Sequence, residues 1–412
     1  MANDRDLRVE AIVVGGGMAG TTMGLAMARG GLSVAVIERQ ASSLFRDSAF
    51  DGRTSAIAFG SAKVFEGIDV WSELVTAAQP IHDIRIADGT PWDGSSSLFL
   101  HYDHRELGDM PLGYIIENRD IRDVLLHKAA AAKTLHLLAP AAVERAERNA
   151  GGATVTLADG QRVSADLIIG ADGRNSPLRR SAGIRATQID YPQTAIVCTV
   201  THEHPHAGVA VELFLPSGPF AMLPMTERRS SIVWTERKDL AQDILALDEE
   251  PFLYELRRRF GEWLGDIRIE GPRFAYPLAL MHAERYTDQR LALIGDAAHV
   301  IHPIAGQGLN LGIRDVAALA ESVVDAHRLG LDIGDGPVLA RYERWRRFDN
   351  VFMAATTDVL NRLFSNDIGP LRLARDFSLA AVNRLPPVKR FFMRHAMGTV
   401  GDLPRLVKGE PI

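Results

Sequence analysis

The run Gly15-Gly16-Gly17-Met18-Ala19-Gly20 restricts this chain more than any other feature, because of what flanks it: Ala11 to Val14, short and β-branched, and an uncharged stretch that reads as a helix to Arg29. A glycine-dense turn between a strand and a helix makes three separate demands. Gly15 permits the tight turn, Gly17 lets a pyrophosphate approach the backbone, and Gly20 lets the helix pack closely on the strand. The helix start then offers free N–H groups and a positive dipole end to phosphates. Leu32 to Ile37 reads as the next strand, and Glu38 ends it, where a carboxylate can accept hydrogen bonds from a ribose diol. The pattern predicts a dinucleotide-binding βαβ unit and leaves NAD and FAD both open. It also excludes a membrane span over Ala11 to Ala28, whose glycines fall where a bilayer helix would carry Leu, Ile or Val.

Composition narrows the function classes. A chain of 412 residues, 46% hydrophobic and 24% charged, has the profile of a folded protein of two or three domains. A net charge of −6 argues against a nucleic-acid footprint over the whole protein. The single cysteine, Cys198, rules out an internal disulfide framework and a cysteine-cluster metal site, and its apolar strand context predicts a small core residue. The polar start predicts no secretory signal, so a cytoplasmic location is expected. His202-Glu203-His204-Pro205-His206 lacks the helical H-E-x-x-H spacing of a zinc site and reads as a solvated loop; no metal is expected.

Two further motifs follow. Ser164 to Ile169 reads as a strand leading into Gly170-Ala171-Asp172-Gly173-Arg174-Asn175-Ser176-Pro177, a turn that makes Asp172 available to ribose or backbone donors. Leu291 to Ile294 leads into Gly295-Asp296-Ala297-Ala298-His299, then Pro303, then Gly306-Gln307-Gly308-Leu309-Asn310 opening a helix with apolar residues at Ile313, Val316, Leu319, Ala320 and Val323.

In this order the three motifs resemble the flavoprotein aromatic hydroxylases of the para-hydroxybenzoate hydroxylase type. More narrowly, Gly113-Tyr114-Ile115-Ile116-Glu117-Asn118-Arg119, His302 to Asn310, and Ala396-Met397-Gly398 with Leu403-Pro404 resemble the ubiquinone-biosynthesis hydroxylases. The resemblance implies FAD as cofactor and NAD(P)H as reductant. Gly15, Gly17, Ala19 and Gly20 would hold the pyrophosphate, and Glu38 and Arg39 the adenosine side. Arg53 and Arg122 fall at family FAD contacts, and Asp172 in the motif credited with both FAD and pyridine-nucleotide contact. Gly295 and Asp296 would meet the ribityl chain or pyrophosphate, and Pro303, Gly306, Gly308, Leu309 and Asn310 the isoalloxazine. Reduced flavin carries negative charge at N1–C2=O, which suits the unpaired amides and dipole of a helix starting at Gly308. The implied reaction hydroxylates a polyprenylated phenol with O₂ through a flavin C4a-hydroperoxide. That chemistry belongs to the cofactor, so no catalytic side chain is named; His302 and Pro303 are expected near the flavin. Alternatives are a hydroxylase of a small unprenylated aromatic and a non-catalytic FAD-bound component of a quinone-biosynthesis complex.

The expected fold class is α/β, with a discontinuous Rossmann-like FAD-binding domain (1–75, 111–180 and 288–335) and an inserted mixed or antiparallel-sheet substrate domain (76–110 and 181–287). A C-terminal helical region covers 336–412. Thr194 to Val200, Val209 to Leu215, Phe220 to Met225 and Ser230 to Thr235 read as antiparallel strands; Phe214, Met222 and Trp234 read as core. A long helix pattern after Pro337 shows apolar residues at Val338, Tyr342, Trp345, Phe348, Phe352, Ala355, Val359 and Leu363. Residues 341–412 hold 13 Lys/Arg against 7 Asp/Glu, a charge of +6 in a chain of −6. With the aromatic-basic run Val388 to Arg394, this predicts peripheral contact with the inner face of the cytoplasmic membrane, with a quinone-biosynthesis protein complex as a further partner.

Overall fold

The computed structural model describes residues 6–41, 52–90, 94–365 and 369–412. The β-branched run Ala11–Val14 is fully buried and forms the middle of a six-stranded sheet. Its neighbours are Val34–Ile37 and then Leu135–Leu138 on one side, and Leu167–Gly170 and then Leu291–Leu293 on the other, all parallel; Thr287–Asp288 closes the edge antiparallel. Strands buried on both faces need near-continuous apolar sequence, as AIVV, VAVI and LIIG supply. The helices Met18–Arg29 and Gly308–Arg328 pack against each other beside this sheet. The expected strand Ser164 to Ile169 is divided in two. Arg162–Ala165 joins a separate four-stranded sheet, and only Leu167–Gly170 enters the parallel one. Asp166, paired with Arg8 at 2.8 Å, marks the change of sheet.

The second large unit is an eight-stranded sheet. Its centre runs Ala186–His202, Arg229–Arg237, Gly218–Met225, Val209–Leu215, each antiparallel to the next, as the short β-branched and aromatic runs between turns predict. Asp83–Thr90 then adds parallel to Val209–Leu215 and pairs with Gly94–Asp103, so the sheet is mixed. One face packs under Phe252, Leu256 and Phe260 of the helix Glu249–Phe260, with Trp234, Met222 and Cys198 in that core. Burial pushes the Cys198 thiol up to about 12. Phe214 packs instead on Phe364, ring centroids 4.2 Å apart.

The long C-terminal helix forms as expected, but its apolar stripe and its buried face part ways. In Gly336–Phe364 the buried positions are Leu339, Tyr342, Arg346, Asn350, Ala354, Thr357, Asn361 and Phe364, while Phe348, Phe352, Ala355, Val359 and Leu363 face outward. The sequence stripe is real to Tyr342, but beyond it the inner face is polar. Arg346 and Asn350 donate there to Asp315, a fully buried carboxylate on the neighbouring helix that requires donors, and Asn361 donates to Gln193 Oε1. The helices Gly369–Arg384 and Pro386–Ala396 fold back over the large sheet, anchored by Arg375 to Asp88, both 2% exposed, at 2.8 Å. Among the described residues no helix is long and apolar enough to cross a membrane.

Candidate functional site

The glycine turn has the geometry its sequence demands. Gly15 sits at φ +106°, and a Cβ there would fall 2.2 Å from the Ala171 carbonyl oxygen, so the second motif abuts the first directly. A Cβ at Gly20 would fall 1.8 Å from Gly15 O, whereas one at Gly17 would meet nothing within 4 Å. Gly17 therefore faces open space, at the start of a helix with no side-chain cap, where the motif needs room for a pyrophosphate. Ala19 lies against Gly295 and Gly312, small residues that let the third motif and its helix approach the first. Glu38 accepts from Gly16 N at 2.7 Å and Gln40 N at 2.8 Å, which fixes its carboxylate across the turn. Arg39 is exposed beside it.

In the second motif Asp172 accepts from Leu178 N at 3.0 Å, while its other oxygen is buried with no partner among the described residues. Burial raises its pKa, against hydrogen bonds that lower it. Arg179, absent from the sequence reading, donates to Ala297 O at 2.7 Å and Arg174 O at 2.8 Å, tying the second motif to the third. Its signal in the sequence was only its place two residues past Pro177, at the end of a turn read for other residues. In the third motif the Asp296 carboxyl opens into a deep cleft whose walls raise its pKa, countered by His299, Arg174 and Arg53. Arg53 lies over the Tyr276 ring at 5.4 Å. Arg122, on the helix Asn118–Ala131, is half-buried and outside the residues that line the cleft.

The cleft continues into a cavity of about 460 Å³. One end is made by Asp296, His299, Pro303, Gly306, Gly308, Leu309 and Asn310, the other by Ile84, Ile86, Leu223 and Val233 of the large sheet and Ala396 of the C-terminal helices. Asn310 is locked by its side chain, accepting from Ala58 N at 2.9 Å and donating to Ala56 O at 2.7 Å. The first helix amides after Gln307, which provides no side-chain cap, thus stand at the cavity wall without intrahelical partners. Gly306, at φ +61°, makes the turn before them. His302 does not reach this cavity. It is fully buried against Tyr191, ring centroids 5.2 Å apart, with neither nitrogen hydrogen-bonded among the described residues. Burial pushes its pKa down to about 4.

The histidine loop also differs from expectation. His202 and His206 are each 6% exposed, bonded to His204 O and Ser230 and to Met225 O. They satisfy the backbone of a packed loop, and no group of side chains among the described residues could hold a metal ion.

The sequence profile of the FAD binding domain matches residues 8–343. The chain belongs to this FAD-binding family. It is 51% identical over 410 residues to ubiquinone hydroxylase UbiL of Rhodospirillum rubrum, covering 99% of this chain and 94% of that protein. It is 34% identical to the 3-demethoxyubiquinol 3-hydroxylase of Escherichia coli, over 94% of this chain and 98% of that one. The fold is that of p-nitrophenol 4-monooxygenase PnpA from Pseudomonas putida, TM-score 0.78 at 18% identity, over 95% of this chain and 98% of that chain. The FAD-dependent monooxygenase class and the α/β fold read from the sequence both stand.

An FAD fits the residues present. The open space at Gly17, the uncapped amides at Gly308, Leu309 and Asn310, and the orphan oxygen of Asp172 are what a dinucleotide with a charged isoalloxazine edge would complete.

Proposed function

We propose that this protein is an FAD-dependent monooxygenase that hydroxylates the ring of a polyprenylated phenol in ubiquinone biosynthesis, with NAD(P)H as reductant and O₂ as oxidant. The observation that carries the reading is the cavity's lining. From the Gly308 helix start outward it is mostly aliphatic, with Tyr102, Glu212 and Thr235 as polar side chains, and among its described lining residues there is no Lys or Arg. A small aromatic acid would find no cation for its carboxylate there, at a desolvation cost of several kcal/mol, whereas an uncharged phenol with an isoprenoid tail would bury apolar surface at roughly 25 cal/mol per Å². The few polar groups suit ring oxygens: the Thr54 and Thr235 hydroxyls are buried without partners among the described residues, and burial pushes the Tyr102 phenol up to about 12, keeping it a donor.

Bound FAD supplies the oxygen-activating chemistry. Gly15, Gly17 and Gly20 would hold the pyrophosphate, Glu38 would meet the ribose, and the Gly308, Leu309 and Asn310 amides would favour negative charge on the flavin edge. The sheet face and the C-terminal helices exclude water from the reacting ring. Peripheral membrane contact belongs to the same proposal. Phe348, Phe352, Phe391 and Phe392 are exposed and joined ring to ring through His395, and the exposed Arg344, Arg347, Arg390 and Arg394 lie on the same two helices. The hydroxylase reading is tested by supplying the holoenzyme with NAD(P)H and ¹⁸O₂ on matched prenylated and unprenylated phenols. Label in the prenylated product is expected; label only in the unprenylated one would overturn the substrate assignment.

A further inference from the structure

Asp315 lies in the second turn of the helix Gly308–Arg328, away from the cavity, and its side chain has no exposure. One carboxylate oxygen accepts from Gly295 N at 3.1 Å and His299 Nε2 at 2.5 Å, the first and last residues of the third motif's loop. The other accepts from Arg346 Nε at 2.9 Å and Asn350 Nδ2 at 3.1 Å, both on the long C-terminal helix. Four donors meet the four lone-pair sites of one carboxylate, which leaves it fully satisfied. Burial would raise the Asp315 pKa, but His299 and Arg346 outweigh it and hold the group well below the usual carboxylate range. Arg346 is held in turn by Asp349 at 2.8 Å and Asn350 Oδ1 at 2.8 Å. One turn earlier, Tyr342 donates to Leu293 O at 2.7 Å, on the strand that leads into the loop.

The arrangement has a direction. His299 lines the cavity and Asp315 does not. Because a carboxylate only accepts, the short contact places the proton on His299 Nε2 and fixes the ring's tautomer and orientation. Gly295 N and His299 together pin both ends of the loop that carries Asp296. Since Asp315 is on the same helix as the free amides at Gly308 to Asn310, it sets the loop and the helix start in a single register.

We propose that Asp315, supported by Arg346 and Asn350, is a positioning residue for the flavin site, acting through His299 and the Gly295 amide on the loop that meets the cofactor. It follows that the C-terminal helix is part of the cofactor site's supporting shell. The proposal rests on the FAD reading, and the experiment separates the two. Apoprotein is titrated with FAD, the visible spectrum of the bound flavin is recorded, and apoprotein melting is measured alongside.

Asp315→Asn keeps the shape but loses charge and one acceptor; it should raise the FAD Kd about tenfold or more, as losing a charge-assisted hydrogen bond does, and shift the flavin bands. His299→Gln should do the same, and the double variant should be no worse than Asp315→Asn alone, because both act through one contact. Wild-type Kd and spectrum in a folded Asp315→Asn protein, or losses that add in the double variant, would overturn the proposal. If Asp315→Asn does not fold, Asn350→Ala carries the test: it removes one donor and leaves the carboxylate, so a raised Kd with shifted bands supports the role and an unchanged Kd refutes it. Failure of the wild-type protein to bind FAD would instead refute the cofactor reading.

Discussion

Gly17 and Gly20 stand three positions apart, and an added methyl would separate their jobs. At Gly17 it meets no atom of the chain within 4 Å; at Gly20 it collides with Gly15 O. Gly17→Ala is therefore expected to leave apoprotein stability within about 0.5 kcal/mol while weakening FAD binding at least about tenfold, and Gly20→Ala to lower both, stability by about 1–3 kcal/mol. Apoprotein calorimetry with an FAD titration checks both; an unchanged FAD Kd in Gly17→Ala would move the pyrophosphate elsewhere. His302 yields a pH prediction. Its folded pKa of about 4 lies below the ordinary histidine value of about 6.5. The unfolded chain takes up the proton first, so stability rises with pH through this window and is lost on acidification from about 6.5 towards 4, by an amount on the order of 3 kcal/mol. His302→Leu should flatten that part of the melting-temperature profile relative to wild type; an unchanged slope would show that the ring is not held neutral. The glycines were legible in the sequence because each answers a steric demand set by its immediate neighbours. The direction of the His302 ring was not, because it is decided by Tyr191 on a distant strand.

At the scale of the element, the helix Gly336–Phe364 shows where periodicity misleads. Its apolar residues recur at helical spacing, which implies a buried face, yet Phe348 is 77% exposed and Arg346 only 2%. Spacing reports that two faces differ and leaves open which one is inside when a buried acid on a neighbouring helix recruits the polar face. The outward aromatics then become a surface. Replacing Phe348 and Phe352 together with Ser removes apolar area that is not buried by the chain, so the melting temperature should hold while sedimentation with anionic vesicles falls several-fold, as expected of an interfacial helix face. Unchanged partitioning would mean that the patch meets a protein partner instead of lipid. The strands of the large sheet were easier to read, since short β-branched or aromatic runs bounded by Pro, Gly or charged turns mark the element. Even there, the parallel addition of Asp83–Thr90 was hidden, because pairing between distant segments leaves no local mark.

At the scale of the molecule, the charge imbalance along the chain changes meaning. Five of the 13 cations of residues 341–412 are engaged by acids of the earlier portion: Arg341 and Arg405 by Glu321 and Asp325, Arg346 by Asp315, Arg375 by Asp88, and Lys389 by Glu106. Part of the segregation read from the sequence thus docks one part of the fold on another, and the exposed Arg344, Arg347, Arg390 and Arg394 are those the proposed membrane contact would use. Residues 403–412 are similarly integral: Leu406, Val407 and Ile412 are buried, and Arg328 donates to Ile412 O at 2.8 Å. Deleting them removes side chains worth about 1.5–3 kcal/mol each, a loss comparable with the stability of a whole domain. The shortened protein should melt far lower or fail to accumulate; wild-type melting would show that this packing is dispensable.

The strand order of the parallel sheet sets a schedule for the cell. The glycine turn leaves the ribosome early, but the strand Leu291–Leu293, the Gly295–His299 loop and the Gly308 helix that complete its cleft emerge only after some 270 further residues have been made. Flavin loading must therefore wait for the third motif, and a nascent chain arrested before residue 291 would hold a phosphate turn with no flavin seat.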